Sequence, residues 1–184
     1  FTAYTENLFL DYYYGKEASA AYVIGTRKRI QNDRPLIGDY NVNNEGSSDM
    51  YYKGANIIHT LRQLTKDDEK WRQMHRKMNG ECYHQTVTSL QIESFLSKER
   101  GWNLKFFFNQ YLRDVRIPVL EYKIDGGKLK FRWNNVVSGF DMPVEVIKEK
   151  QNLWLYPTES WQTTPTTVSK IEIDSDYYIN LKKL

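Results

Sequence analysis

Three histidines, one cysteine and a tyrosine-rich segment hold most of the reactive side chains in this sequence. His59, His75 and His84 are never four residues apart, the helical spacing that lets two rings reach one zinc ion. Each reads as a packed or surface histidine. Cys82 stands alone, which excludes an internal disulfide and a multi-cysteine metal site. No basic cluster beside it marks an activated thiol, so it reads as a packed thiol flanking a helix. There is no glycine-rich phosphate loop and no Gly-x-Ser-x-Gly nucleophile elbow. What remains is Tyr51-Tyr52-Lys53-Gly54, with carboxylates at Asp49 and, far upstream, Glu6.

The elements that must position these groups divide into two regions. The first is helical. Phe1, Tyr4, Leu8 and Tyr12 step by three and four as an amphipathic stripe, and Gly15 ends it. A second helix is expected from Lys16 to Ile30, stopped by Asp33-Arg34-Pro35. Residues 34–49 form a long loop rich in Gly, Asn and Ser, a kind of loop that is often functional. Ser47, Ser48 and Asp49 can cap the next helix, whose buried face would hold Ile57, Leu61 and Leu64. Asp67, Asp68 and Glu69 suit a helix start, where the backbone dipole favours negative charge. Trp71, Met74 and Met78 form the inward stripe of that helix, and Asn79-Gly80 ends it. Thr88 with Gln91 makes a capping box, Val87 with Ile92 its staple, and that helix ends near Gly101. Asn103 caps a last helix with Leu104, Phe107, Phe108 and Tyr111 inward. Pro118 closes the region.

Beyond Pro118 the period changes to two. Leu120, Tyr122 and Ile124 alternate with charged residues, Asp125-Gly126-Gly127 turns the chain, and Leu129, Phe131 and Trp133 alternate again. This predicts a β-hairpin. Further strands are expected at 142–148, 153–156, 168–173 and 177–181. Alternation implies one dry and one wet face, as in antiparallel sheets. The fold class is therefore α+β: a helical region over residues 1–116, then a small antiparallel β-sandwich over residues 117–184.

Composition narrows the partners. Of 184 residues, 40% are hydrophobic and 15% aromatic, enough for a core and far from a disordered composition. The net charge of +3 is a mild bias. Arg27-Lys28-Arg29 is the densest basic run, and it reads as a solvated helix face because no aromatic-plus-basic nucleic-acid motif accompanies it. No nucleic-acid partner is expected. No apolar run reaches the roughly 18 residues of a membrane span.

One segment goes further. Asp49-Met50-Tyr51-Tyr52-Lys53-Gly54-Ala55 resembles the Tyr-x-Lys-Gly-Ala segment of aminopeptidase N-like zinc metallopeptidases. The opening, Phe1-Thr2-Ala3-Tyr4-Thr5-Glu6, resembles the residues that follow the zinc-binding Glu-Gly of that family. Two helices and a loop separate the segments, as in the family. Gln110-Tyr111-Leu112 followed by Ile117-Pro118 is similar to the family's exit from its helical subdomain, and the β region is similar to the small sandwich that follows. The order and spacing of the segments make the match more specific than the tetrapeptide alone.

The resemblance implies a role for Tyr51. Hydrolysis of a peptide leaves a negative oxygen on the former carbonyl carbon, and a phenol can donate to it. Gly54 would allow close backbone approach, and Lys53 either pairs with a carboxylate or is solvated. Glu6 either supports the site from behind the metal ligands or is a surface carboxylate. Asp49 either caps the Tyr51 helix, the favoured reading, or orients Tyr51. The family's His-Glu-x-x-His helix, its third zinc ligand (a Glu expected just before Phe1) and its amine-binding segment are not in this sequence. The expectation is thus the C-terminal part of a zinc aminopeptidase, with no metal site of its own, zinc in the intact parent, and no activity alone. The parent would act on peptides with a free amino terminus. Phe1, Tyr4, Tyr12, Tyr13 and Tyr51 would form a face uncovered by the zinc-binding half and prone to self-association. Relatives of this style are often exported, while these residues name no compartment. The competing expectations are a binding module in which exposed Trp154 and Trp161 of the β region hold a sugar or a partner protein, and a plain interaction scaffold of helices.

Overall fold

The computed structural model describes residues 1–44, 46–148 and 151–184. Among them, six α-helices precede seven strands, an α+β fold: α1 Thr2–Tyr14, α2 Lys16–Gly25, α3 Tyr52–Thr65, α4 Asp68–Glu81, α5 Ser89–Arg100 and α6 Lys105–Leu112, then β1 Val119–Asp125, β2 Lys128–Asn134, β3 Val144–Lys148, β4 Gln151–Leu155, β5 Gln162–Pro165, β6 Glu172–Ile173 and β7 Asn180–Lys183. No helix among them is long and apolar enough to cross a membrane.

Helix α3 is the axis of the helical region. Ten of its fourteen residues are buried, including the expected Ile57, Leu61 and Leu64. Helix α4 is started by Asp67, whose side chain accepts from the Lys70 N–H, and it buries Trp71, Met74 and Met78. It runs one residue past Gly80. Helix α5 has the capping box of Thr88 and Gln91 and ends at Gly101, whose φ of 73° relieves the left-handed turn of any Cβ clash. The expected second helix is shorter than its pattern suggests. It stops at Gly25, and Thr26–Arg29 tightens into a 3-10 turn.

The hairpin β1–β2 has the register that the alternation implies, with Tyr122 opposite Phe131 and Leu120 opposite Trp133. Two sheets form, in the orders β5-β2-β1-β7 and β4-β3-β6. The first departs from the antiparallel expectation because β7 returns to pair parallel with β1. Strand β5 is short and polar, and it pairs with β2. A continuous cluster of buried residues runs from Tyr4 through Leu61 and Tyr111 to Trp133, Val146 and Tyr178, so helices and sheets share one core. Polar ties cross it. Tyr111 donates its hydroxyl to the Tyr178 carbonyl at 2.9 Å, and the Tyr178 N–H donates to the Thr60 hydroxyl at 2.9 Å. Such buried groups are tolerated because each finds a partner.

Candidate functional site

Tyr51 sits at the N-terminal boundary of α3, and the turn that carries it is held from several sides. The Ser47 hydroxyl accepts from the Asp49 N–H at 3.2 Å and donates to the Asp33 carboxylate at 2.8 Å. That hydroxyl holds the Asp33 carboxyl below the usual carboxylate range. Asp49 is buried and turns away from α3, accepting the N–H of Gln31 at 2.9 Å and of Asn32 at 2.6 Å. It therefore does not cap the helix, and it makes no hydrogen bond to the Tyr51 phenol among the described residues. It staples the start of α3 to the segment after α2, since its carboxylate accepts two consecutive backbone N–H groups there at once. The cap of the short 3-10 turn Ser48–Met50 falls to Ser47.

Lys53 lies on the inner side of the same turn and is fully buried. Its ammonium donates to the Asp114 carbonyl at 3.1 Å, which ties α3 to the exit of α6. Burial lowers its pKa, and the carboxylates of Asp49, Asp114 and Asp33 oppose that shift. It follows that Lys53 is neither solvated nor closed into a simple ion pair. Next along, Arg29 donates to the Tyr52 hydroxyl at 2.8 Å. The Arg27 Nε donates to Asn56 at 2.6 Å, and its Nη1 donates to the Ser175 carbonyl at 2.8 Å. The run Arg27-Lys28-Arg29 is thus not simply a solvated face, since two of its three side chains are spent holding α3 and the β6–β7 loop.

Against this fixed base, the Tyr51 ring is 58% exposed and its hydroxyl makes no hydrogen bond among the described residues. Met50 and Gly54, which flank it in the chain, line an apolar groove of about 280 Å³ together with Phe1, Leu36, Ile37 and Ile57. Phe1 on this wall brings the opening segment beside the Tyr51 turn. Glu6 stays apart. It is an exposed carboxylate that accepts from the Tyr22 phenol, clasping α1 to α2, and that contact raises the Tyr22 pKa.

Tyr4 departs from the expected uncovered face. It is buried and donates to or accepts from His59 Nδ1 at 3.0 Å, while His59 Nε2 lies 3.2 Å from Asp176. Burial pushes the Tyr4 phenol up to about 12, and the His59 contact lowers the Asp176 carboxyl. The remaining members, Phe1, Tyr12, Tyr13 and Tyr51, are exposed. This line from α1 through α3 to the β6–β7 loop escaped the sequence reading because its partners are far apart in the chain. His75 is turned to the Trp71 carbonyl at 3.1 Å. Among the described residues no three His, Cys, Asp or Glu side chains gather as a metal ion requires, so these residues do not by themselves fit a zinc ion.

Of the two tryptophans of the β region, Trp161 is roofed by cations, with Arg132 at 4.7 Å and Lys123 at 5.3 Å from its ring centre. Trp154 is partly buried, with Lys66 at 5.5 Å from its ring.

No protein-family model matches the chain, and no curated protein matches it. Among solved structures, its fold is similar to the crystal structure of Legionella pneumophila aminopeptidase A in complex with aspartic acid, with a TM-score of 0.60 and 13% sequence identity. The likeness covers 98% of this chain and 23% of that one, so the chain spans about a quarter of its neighbour's length. At this identity the likeness is one of fold. The neighbour is a peptidase, and this chain has a fold found within it.

Proposed function

We propose that the chain is the C-terminal part of a zinc-dependent aminopeptidase, with residues 1–116 completing the catalytic domain and residues 117–184 forming the β domain behind it. The observation that carries the reading is the Tyr51 phenol, exposed and without a hydrogen-bond partner among the described residues, on a turn fixed by Ser47, Asp49 and Lys53. A donor carried on a fixed turn and met only by solvent is free to turn to a charge that appears only during reaction, and this is where electrostatic catalysis gains most. In the intact protein Tyr51 would donate to the oxygen that becomes negative as a peptide carbonyl is attacked. Asp49 and Lys53 are positioning residues, acting through the turn. The apolar groove next to the turn, lined by Met50, Gly54 and Ile57 though not by Tyr51, would suit an apolar portion of the peptide.

The zinc ligands and the group that holds the substrate's free amine would come from polypeptide outside these residues, and the zinc would supply the activated water. Fold likeness over nearly the whole chain supports this assignment, as do the Tyr-x-Lys-Gly segment and the placement of Phe1 beside it. The chain alone would then release no amino acid. The test is to assay the chain by itself and joined to an upstream segment carrying His-Glu-x-x-His, measuring bound zinc and release of a chromogenic amino acid. Both readouts should be absent in the first case and present in the second. Release by the chain alone, or none from the joined protein once it holds zinc, would contradict the reading.

A further inference from the structure

Away from Tyr51, a cleft of about 670 Å³ opens where the ends of α3 and α5 meet the second sheet. Two cations reach it, and they are not equivalent. Lys66, just past α3, has its ammonium paired with the buried carboxylate of Glu145. Arg100, the last residue of α5, makes no hydrogen bond and no ion pair among the described residues, and its Nε is sealed from solvent. Burial lowers the Arg100 pKa, and no carboxylate opposes it. A partly buried guanidinium without an acceptor carries an uncompensated desolvation cost. With Nε sealed, a carboxylate in the cleft would be met by the two terminal Nη groups, whose planar end is shaped to receive it.

The walls define what should carry that carboxylate. Trp102, Trp154 and Tyr156 line the cleft, and they offer ring faces on which a flat body can stack. Asp141 also lines it, from an exposed position. There it can accept from a donor at the outer end of a ligand, and it disfavours a ligand that is anionic throughout. A guanidinium without an acceptor, aromatic walls and an acceptor at an exposed position describe a ligand with one acidic end and one ring-sized apolar face.

We propose that this cleft binds a small carboxylate carried on a ring, with Arg100 holding the carboxylate and Trp154 stacking on the ring. The site is independent of Tyr51 and of any metal. Two kinds of molecule share this chemistry, an N-blocked aromatic amino acid and a sugar acid. The experiment uses the whole chain and follows its indole N–H signals by NMR during titration with N-acetylphenylalanine and, separately, with glucuronate. Their neutral counterparts, N-acetylphenylalanine amide and glucose, serve as the paired controls.

At least one acid should shift the Trp154 signal to saturation, its neutral counterpart binding about tenfold more weakly or worse, as loss of a charged hydrogen-bond pair implies. Which acid binds identifies the carrier. R100Q should abolish the preference for the acid, and W154L should weaken both members of the pair. No saturable shift with either acid overturns the proposal, as does equal binding of the neutral counterpart or unchanged binding by R100Q. Should R100Q lose its dispersed amide signals, R100K keeps the charge and the stem without the fork. It should bind the acid several-fold more weakly, and unchanged affinity in R100K overturns the proposal equally.

Discussion

Helices α1 and α3 lie side by side and treat their side chains in opposite ways. Helix α3 buries Lys53, Asn56, His59 and Thr60 along with its aliphatic residues, and each of these polar groups has a partner. Helix α1 buries only Tyr4 and Asn7 and turns Phe9, Tyr12, Tyr13 and Tyr14 outward, with Tyr12 82% exposed. A helix with buried polar groups and a neighbour with exposed rings are both exceptions to the usual partition. The pair teaches which surface is finished. The polar groups of α3 are finished from within this chain, whereas the rings of α1 present an apolar face of the sort that mediates association.

The sharpest way to break that contrast is to remove a buried polar group from α3. Lys53→Ala should cost about 2–4 kcal/mol, because it opens a cavity and leaves the Asp114 carbonyl without its donor. Urea unfolding monitored by tryptophan fluorescence measures it. A shift under 1 kcal/mol would mean that the turn carrying Tyr51 is not held by Lys53.

A second prediction carries the comparison into the sheet, where Glu121 is another buried polar hub. Its carboxyl is held down at about 2 by the Asn134 amide first, and then by Arg132 and Lys182. A folded value below the unfolded one means the contribution is fully present above about pH 4.5 and lost as pH falls from there through about 2. Urea midpoints across that range should drop steeply for the native sequence and more gently for Glu121→Gln. Parallel curves would remove Glu121 from the acid response.

The smallest effect on folding is expected on α1. Replacing Tyr12 and Tyr13 together by Ser should change unfolding stability by no more than about 0.5 kcal/mol each, as for exposed positions generally. The same change should reduce self-association, read by light scattering at high concentration. A native chain that is monomeric there already would show that the exposed rings do not mediate self-association.

The contrast also marks what the sequence could disclose. Helix α5 was legible down to its capping box, and the hairpin β1–β2 in its two alternating strands and its turn, because both are written in neighbouring residues. Strand β5 escaped because Gln162, Thr163 and Thr164 carry no hydrophobic alternation, and the parallel pairing of β7 with β1 depends on where a distant segment returns. Tyr51 was singled out only by the resemblance of its four-residue context, and its exposure came from the structure. The roles of Asp49, His59 and Tyr4 were not legible, since their partners are backbone N–H groups or residues more than fifty positions away, which no local period records. Tyr4 in particular shares the spacing of the exposed rings of α1 and yet sits in the core.

The central claim, that Tyr51 is a catalytic donor on a rigid turn, is tested most directly by Tyr51→Phe in the protein joined to its zinc-binding half. Only one exposed hydroxyl is lost, so zinc content and the unfolding midpoint should stay as they were. Turnover should fall by about a hundredfold to a thousandfold, the usual consequence of removing one donor to a developing oxyanion. Turnover that is unchanged while zinc remains bound would contradict the account.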